Sequence, residues 1–451
     1  MSERGLESVS DSRVSEQFSR AYLWYVVAVL TIASTFSIID RQILNVMIGP
    51  VKRDLGGISD FQVSLIMGFA FTFMYSVLSY PAGWLSDRYN RRNLMAVGIA
   101  SWSLLTVLCG TVHQYWHLFL ARMGVGVGEA TLGPAANSSL ADYFPPDRLP
   151  LAIGIVSAAP FVGQGLANIA GGPLIDYLEN TPNYVLPVIG EVFSWQMVFI
   201  VVGAPGLLVA LAMMGLREPA RRGKVTEAVG VPFSEVWACV KGRWAFFALI
   251  FAGYLGLATQ GWSLFSWIVE YYVRNHGWTR TEIGLTYGTI ALVVGILGSI
   301  IGGLWAGSLI RRKVEDATLR LVTYGSIVLL PTATALTLVP DPWVGVVLLI
   351  PVTFCMAMPP GLIMASLQAI APNELRGQMV AFYLIAVNFL AYTFAPSLPA
   401  VLSDYVFASE LALGKSISLL AVANYTLASV CLGLGLKHYR RALSQASEWG
   451  K

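Results

Sequence analysis

The chain has few charged residues. Asp, Glu, Lys and Arg make up 12% of its 451 residues, while hydrophobic residues make up 56%. An ordinary soluble protein carries about 25% charged residues, roughly twice as much. The charges are also clustered, which leaves long stretches with none. This composition excludes an ordinary soluble domain and indicates a protein embedded in the lipid bilayer. The net charge of +3 gives no reason to expect nucleic acid as a partner.

The chain also lacks the patterns of disulfide, zinc and nucleotide sites. Its four cysteines are scattered at positions 109, 239, 355 and 431, without the spacing of a disulfide framework or a zinc site. The Gly-Lys-Ser at 414–416 has Ser409 where a P-loop needs its first glycine. No ATP-driven mechanism is therefore indicated, and no cofactor is expected.

Histidine offers one candidate metal pair. His113 and His117 have the i, i+4 spacing of helical ligands, but Tyr115 and Trp116 lie between them and no carboxylate is near. Residues of a membrane interface are the favoured interpretation, and no metal is expected. We also find no nucleophile with a base inside the apolar stretches, so an enzyme is not expected.

Twelve apolar stretches are long enough to cross a bilayer as helices of about 20 residues. They cover residues 21–48, 61–84, 93–112, 116–143, 149–176, 194–216, 244–272, 282–310, 318–339, 342–370, 376–403 and 416–437. They are too long and too continuously apolar for the alternating strands of a membrane β-barrel. The sequence therefore predicts an all-α membrane protein with twelve transmembrane helices.

A short charged motif occurs twice. Residues 83–92 and residues 303–312 share a glycine and an arginine pair at the same spacing, 220 residues apart, with Asp87 replaced by Gly307 in the second copy. Such a repeat predicts two pseudo-symmetric six-helix bundles. The expected domains are a tail (1–20), an N-terminal bundle (21–216), a linker (217–243), a C-terminal bundle (244–437) and a second tail (438–451).

The basic residues predict the orientation. Of the 29 Lys and Arg residues, 22 are assigned to the side of the membrane that holds the two termini, 5 to the opposite side and 2, Arg41 and Arg122, to the interior of spans. The positive-inside rule then places both termini and the linker in the cytoplasm. The first twenty residues are polar, which favours a cytoplasmic tail over a signal peptide.

Four charged residues lie well inside the predicted spans, more than five residues from either end: Asp40 and Arg41 in the first, Arg122 and Glu129 in the fourth. Each charge costs at least about 2.5 kcal/mol in a bilayer, so such groups normally pair and line a cavity. Counted from the outer ends of the two helices, Asp40 and Arg122 lie at a similar depth in the membrane, which predicts that they pair. Glu129 lies about two turns deeper on the fourth helix, and Asn137 is expected to continue the same face of that helix toward the cytoplasm, as a further residue that lines the cavity. A purely structural network between the two helices is the alternative.

The second half offers apolar groups instead. The repeat register places Met356 opposite Glu129, and the seventh span is rich in aromatic residues. The candidates for lining a cavity are Trp262, Phe265, Trp267, Met356 and Tyr383. A cavity with charge on one side and apolar groups on the other suits an amphiphile. Packing or lipid-facing surface is the alternative for the aromatics.

Two motifs resemble a known family. Residues 83–92 resemble the signature loop of major facilitator transporters, with Asn90 where the family usually has glycine. Ile39-Asp40-Arg41 and the run from Arg122 to Gly126-x-Gly128-Glu129 are similar to the Spinster-like branch. That resemblance implies transport of lysolipids or sphingolipids. An Asp-Arg pair in the first span also occurs in organic anion:cation symporters.

These observations predict a secondary active or facilitative transporter that moves an amphiphilic, lipid-like solute by alternating access, with the movement linked to protons. The alternative is a proton-coupled symporter of a small organic anion whose carboxylate is held by Arg41 and Arg122. Glu129 is the expected proton-coupling acid, with Asp40 as the second candidate. We expect a monomer in a bacterial inner membrane, with the bilayer and the solute as partners.

The signature loop has an expected role as a conformational latch. Its residues are Gly83, Asp87, Arg88, Arg91 and Arg92. The repeat places Asp87 near the start of a helix that begins about residue 376, where a carboxylate is favoured by the partial positive charge of the helix end. The alternative is that the loop only sets membrane topology.

Overall fold

The computed structural model describes residues 18–145, 148–181, 184–187, 190–221, 237, 240–370 and 376–446. The predicted N-terminal tail, most of the predicted linker and the last five residues lie outside this part of the chain. The described chain forms two compact units. Unit 1 comprises the described residues within 1–56 and 70–226, and unit 2 comprises the described residues within 57–69 and 227–451.

Unit 1 is built from helices and one small hairpin. Its helices are α1 (Arg20–Val46), α2 (Ile48–Asp54), α4 (Phe71–Arg88), α5 (Arg91–Cys109), α6 (Tyr115–Glu129), α7 (Leu132–Tyr143), α8 (Leu149–Val156), α9 (Ala159–Glu179) and α10 (Ser194–Met214). The strands β1 (Tyr184–Leu186) and β2 (Gly190–Val192) pair antiparallel between α9 and α10. In the core, α5 packs against α10 and α6, and α1 packs against α9.

Unit 2 holds the remaining helices. They are α3 (Asp60–Ser64), α11 (Trp244–His276), α12 (Arg280–Arg311), α13 (Ala317–Leu336), α14 (Pro342–Ala357), α15 (Pro359–Ile370), α16 (Arg376–Phe394), α17 (Ser397–Val401) and α18 (Leu413–Ala446). Helix α18 packs between α11 and α13, and α14 packs against α12 and α13. The predicted second tail is therefore helical as far as Ala446.

Eleven helical stretches of the described chain are long and apolar enough to cross a membrane. The twelfth predicted span, 116–143, is present as α6 and α7, with a break at Ala130 and Thr131. Pro134 explains the break, because it has no N–H to bond the carbonyl of Ala130 and its ring crowds that carbonyl. Glu129 is thus the last residue of α6.

Glycines allow close helix approach in unit 1. A side chain at Gly126 would lie 2.4 Å from the carbonyl oxygen of Phe71 on α4, and one at Gly128 would lie 2.9 Å from Trp102 on α5. The glycines at 124, 126 and 128 therefore serve packing around α6, as small residues do between membrane helices.

One long helix passes from unit 2 into unit 1. It begins as α3, continues as a π-helical turn from Leu65 to Ala70 and ends as α4. The side chain of Ser59 caps its start, with Gln62 completing a capping box. The chain leaves unit 2 at Phe69, within the π-helical turn.

A buried acid fixes the start of α13 in unit 2. Asp316 accepts hydrogen bonds from Arg440 at 2.6 Å and from Arg320 at 3.1 Å. Burial alone would raise the pKa of Asp316, but the two guanidinium groups outweigh it and hold that pKa below its ordinary value. The ionised carboxylate therefore stabilises the fold.

Asp316→Asn is expected to lower the thermal unfolding midpoint of the purified protein at pH 7. Because the folded pKa of Asp316 lies below the unfolded value, its contribution is present above the unfolded pKa and is lost as pH falls through the folded one. The difference from wild type should therefore persist down to about pH 4, the ordinary Asp pKa, and shrink only below it, so the comparison is between pH 7 and about pH 3. Glu315→Gln, at the exposed neighbouring position, is the control. An equal deficit for Asp316→Asn at both pH values would contradict the assignment.

Candidate functional site

The four intramembrane charges of the sequence meet in the interior of unit 1. Asp40 and Arg41 lie on α1, and Arg122 and Glu129 lie on α6. Asp40 is 4% exposed, Arg122 is 0% exposed and Glu129 is 1% exposed. Charged groups this deeply buried persist only when paired and hydrogen-bonded.

Asp40 has a hydrogen-bond donor on each carboxylate oxygen. Nη1 of Arg122 lies 3.2 Å from Oδ1, and the hydroxyl of Thr106 donates to Oδ2. The same Nη1 lies 3.3 Å from the backbone carbonyl oxygen of Asp40. The pair that the helix depths predicted is confirmed. Each carboxylate oxygen of this acid is therefore occupied by a donor.

Glu129 is bound differently. Its Oε2 accepts from Nε of Arg41 at 2.7 Å and from the hydroxyl of Ser37 at 2.5 Å, and Nη2 of Arg41 lies 2.6 Å away. Within the described chain, Oε1 is buried and has no hydrogen-bond partner. One oxygen of Glu129 is therefore crowded with donors while the other is bare.

The sequence analysis placed Glu129 about two turns deeper than the Asp40–Arg122 pair and named no partner for it. The partner of Glu129 is Arg41, while Arg122 is drawn to Asp40. Seven residues along a helix separate Arg122 and Glu129 by about 10 Å, so one guanidinium cannot serve both acids. Arg41, the residue after Asp40 on α1, pairs with Glu129 instead. The four charges thus form two crossed pairs.

Arg122 keeps spare donors. In the described chain its Nε and Nη2 are buried without a hydrogen-bond partner, which is costly for a charged group. The guanidinium groups also lie near aromatic rings: that of Arg41 is 4.6 Å from the ring centres of both Phe71 and Tyr75, close enough for cation–π attraction. These aromatic residues, like Ser37 and Thr106, were missed by the sequence analysis. Ser37 was visible there, one helical turn before Arg41.

Asn137 lies apart from this network. It is exposed, and it belongs to α7, beyond the break after Glu129. The predicted continuous face from Glu129 to Asn137 assumed one unbroken helix, so that part of the prediction is corrected.

The apolar candidates in unit 2 divide into two groups. Trp262, Phe265 and Met356 are half-buried. The ring centres of Trp262 and Phe265 are 5.6 Å apart, and Trp262 lies 3.7 Å from the ring centre of Tyr392. Trp262, Phe265 and Tyr392 thus form a partly accessible apolar cluster.

Trp267 and Tyr383 are packing residues instead. Trp267 is 0% exposed, and its indole N–H donates to the carbonyl oxygen of Pro396 at 2.7 Å. Tyr383 is buried and stacks on Tyr254 at a ring-centre distance of 6.2 Å. Both were expected to line a cavity, and the burial of their side chains inside unit 2 corrects this.

The arginines of the signature loop bind within unit 1. Arg91 is buried and contacts Asp142 at 2.5 Å and Glu218 at 2.8 Å. The backbone N–H of Arg92 donates to Glu218 at 3.0 Å, and its guanidinium donates to the carbonyl oxygen of Leu216. These contacts attach the loop to the chain segment that follows α10.

The rest of the loop is more open. Asp87 and Arg88 are exposed, Gly83 is half-buried, and the guanidinium of Arg88 lies 3.9 Å from the ring centre of Trp84. Helix α16 begins at Arg376, as the repeat predicted. The side chains of its first turn lie outside the described residues, so the latch role of Asp87 stays a prediction.

Comparison with known proteins supports the class of fold. Residues 30–396 match the family Major Facilitator Superfamily. The chain is 28% identical to an MFS-type efflux pump of Mycolicibacterium smegmatis, over 93% of this chain and 94% of that protein. It is 25% identical to the probable galactarate/D-glucarate transporter GudP of Bacillus subtilis, over 64% of this chain and 66% of that one.

A solved structure is also similar. It is that of a bacterial homologue of the human lysosomal transporter Spinster in an inward-facing, unoccupied conformation, with a TM-score of 0.80 and 25% identity, covering 95% of this chain and 99% of that one. The chain therefore belongs to the Major Facilitator Superfamily, as a multi-pass membrane transporter of twelve helices in two six-helix bundles. The resemblance to the Spinster-like branch is confirmed.

The crossed pairing makes a specific prediction. Arg41→Ala removes the cation that pairs with Glu129 and leaves that buried acid with only the hydroxyl of Ser37, so the thermal unfolding midpoint at neutral pH should fall. Adding Glu129→Gln should recover part of the loss, since contacting residues couple by about 0.5–3 kcal/mol. Adding Asp40→Asn to Arg41→Ala is the matched control and should give no recovery. Equal recovery by both second substitutions would show that the pairs are not specific.

Proposed function

We propose that this transporter carries an amphiphilic, lipid-like solute by alternating access, and that Glu129 couples the movement to protons. The observation that carries the proposal is the contrast between two buried acids. Asp40 has a donor on each oxygen, whereas Oε1 of Glu129 has none in the described chain. The bare oxygen is where a proton can be added without breaking a hydrogen bond.

The surroundings of Glu129 make it responsive to conformation. Burial opposes its charge, and Arg41 favours it. A change in the distance between α1 and α6 alters this balance, because the guanidinium and the carboxylate are on different helices. Loading and release of a proton then follow the conformational cycle, as secondary transport requires.

The solute class follows from two surfaces. Arg122 offers two buried N–H groups to an anionic head group, and its planar fork suits carboxylate or phosphate. Trp262, Phe265 and Met356 offer half-buried apolar surface in unit 2 for a hydrocarbon part. The resemblance to the Spinster-like branch, which implies transport of lysolipids or sphingolipids, supports an amphiphilic solute.

A small organic anion is the second candidate. The unpartnered donors of Arg122 could hold its carboxylate directly, with Arg41 assisting once Glu129 is protonated. The similarity to a probable galactarate/D-glucarate transporter supports this class. For a small organic anion, the apolar cluster of unit 2 would have no direct role in binding. Substitutions in that cluster therefore distinguish the two candidate solutes.

The cellular setting is part of the proposal. The excess of Lys and Arg on the side of the termini supports cytoplasmic termini, and we infer a bacterial inner membrane as the location. The cycle needs a single copy of the chain, the bilayer, the solute and a proton gradient, with no bound cofactor.

Asp87 is proposed as a latch that favours the outward-facing state. Its exposed carboxylate is free to gain from a helix N-terminus, worth about 0.3–1 kcal/mol at an exposed site. Asp87→Asn should therefore raise the inward-open population, measured by cysteine accessibility at the cytoplasmic mouth. Glu315→Gln, also an exposed acid on the predicted cytoplasmic side, should not. If the ratio of inward-open to outward-facing protein is unchanged in Asp87→Asn, the loop sets membrane topology and is not a latch.

Uptake into proteoliposomes tests the function itself. A labelled lysolipid and a small sugar acid are compared with and without an inward proton gradient. We expect gradient-driven accumulation of the lysolipid, and Glu129→Gln should abolish accumulation while leaving exchange of solute across the membrane. Trp262→Ala should reduce lysolipid transport specifically. Sugar-acid uptake that is indifferent to Trp262→Ala would favour the second candidate, and accumulation by Glu129→Gln would remove Glu129 from coupling.

A further inference from the structure

Two aromatic rings of α4 lie against the guanidinium of Arg41. That guanidinium is 4.6 Å from the ring centre of Phe71 and 4.6 Å from the ring centre of Tyr75. The two aromatic residues are one helical turn apart, and their rings are stacked with centres 5.7 Å apart. Arg41 therefore lies over a surface made of two ring faces, and ring faces carry partial negative charge.

The same surface reaches the second arginine of the site. The guanidinium of Arg122 is 5.7 Å from the ring centre of Phe71, within the distance of about 6 Å at which a cation is attracted to a ring. Phe71 is 3% exposed, so water screens this attraction little. Phe71 thus lies beside one cation of each crossed pair.

Close backbone packing fixes the position of the two rings. A side chain at Gly126 of α6 would lie 2.4 Å from the carbonyl oxygen of Phe71 and 3.2 Å from the backbone nitrogen of Tyr75. The hydroxyl of Tyr75 is 3.9 Å from the place that a side chain at Gly133 would take, close to the break after Glu129. The rings are therefore held against the helix that carries Glu129.

Other charged side chains do not take over the role of these rings. Asp40 and Arg122, the remaining charges of the site, pair with each other. The charged residues of α4, α5 and α7 lie at the ends of these helices, in or near the signature loop: Asp87, Arg88, Arg91, Arg92 and Asp142.

The carboxylate and the rings respond differently to a proton. While Glu129 is ionised, its negative charge offsets the attraction between Arg41 and the rings, because an anion is repelled by the same ring faces. When Glu129 binds a proton, this offset disappears. The attraction of the rings for the cation then remains and is stronger than before.

We propose that Phe71 and Tyr75 are positioning residues of the proton-coupling site, whose ring faces hold the guanidinium of Arg41 in place while Glu129 is protonated. Arg41 then stays beside the carboxyl group and pairs with it again when the proton leaves. Neither ring binds the proton. The inference rests on the proposed role of Glu129 in coupling.

A double-mutant cycle on the purified full-length protein tests the contact without transport. Glu129→Gln imitates the neutral acid, and the parent is measured at about pH 9, well above the ordinary pKa of a glutamate. Tyr75→Leu should lower the thermal unfolding midpoint by about 2 °C more in the Glu129→Gln background than in the parent. Phe71→Leu should show the same difference, and Tyr75→Phe, which keeps the ring face, should show none.

Two controls make this cycle specific. Phe73→Leu removes a ring from another face of the same helix and should cost the same in both backgrounds. When Arg41→Ala is added throughout, the extra loss in Tyr75→Leu should disappear, because the cation beside the ring is gone. An equal loss for Tyr75→Leu in both backgrounds, or an extra loss that persists without Arg41, would show ordinary packing and overturn the proposal.

Uptake of the labelled lysolipid into proteoliposomes connects the rings to coupling. Tyr75→Leu should reduce gradient-driven accumulation about fivefold and leave exchange of solute near the parent level, while Tyr75→Phe and Phe73→Leu should accumulate like the parent. Equal loss of exchange and accumulation in Tyr75→Leu, or no recovery in Tyr75→Phe, would overturn the positioning role. A parent that does not accumulate solute under a proton gradient would contradict the proposed function instead, and the unfolding cycle would still decide whether the rings hold Arg41.

Discussion

The cost of placing charge inside a lipid bilayer is the constraint on which this structure depends. Each buried acid in unit 1 must find a cation, and each cation an acid. Helices α1 and α6 meet this demand with two crossed pairs, Asp40–Arg122 and Arg41–Glu129. The glycines of α6 let the neighbouring helices approach closely enough to enclose these pairs. Packing and electrostatics are thereby linked in the same helix.

The pairs are nearly neutral as a set, yet they are unequally satisfied. Asp40 is fully bonded, whereas Glu129 and Arg122 each keep buried polar atoms without partners in the described chain. A structural network would be expected to satisfy all its members. The incomplete bonding is what favours a functional interpretation, with a place for a proton on Glu129 and a place for an anionic group on Arg122.

Much of the fold and part of the four-charge site could be predicted from the sequence. The features that were missed have physical reasons. Apolar length and the repeated loop predicted the helices, and helix depth predicted the Asp40–Arg122 pair. The break after Glu129 was missed although Pro134 was visible, because hydropathy does not register a lost hydrogen bond. The partner of Glu129 and the burial of Trp267 depend on tertiary packing. No spacing along a single helix could have indicated them.

The central claim is that Glu129 carries the transported proton while Asp40 remains ionised. Infrared difference spectroscopy of the purified protein across a pH titration tests it most directly, because a protonated carboxyl group has its own C=O stretching band. The account predicts a titrating buried-carboxyl band that is present in wild type and in Asp40→Asn but absent in Glu129→Gln, with the remaining acids as a common background. A band that survives Glu129→Gln unchanged and disappears in Asp40→Asn would contradict the account.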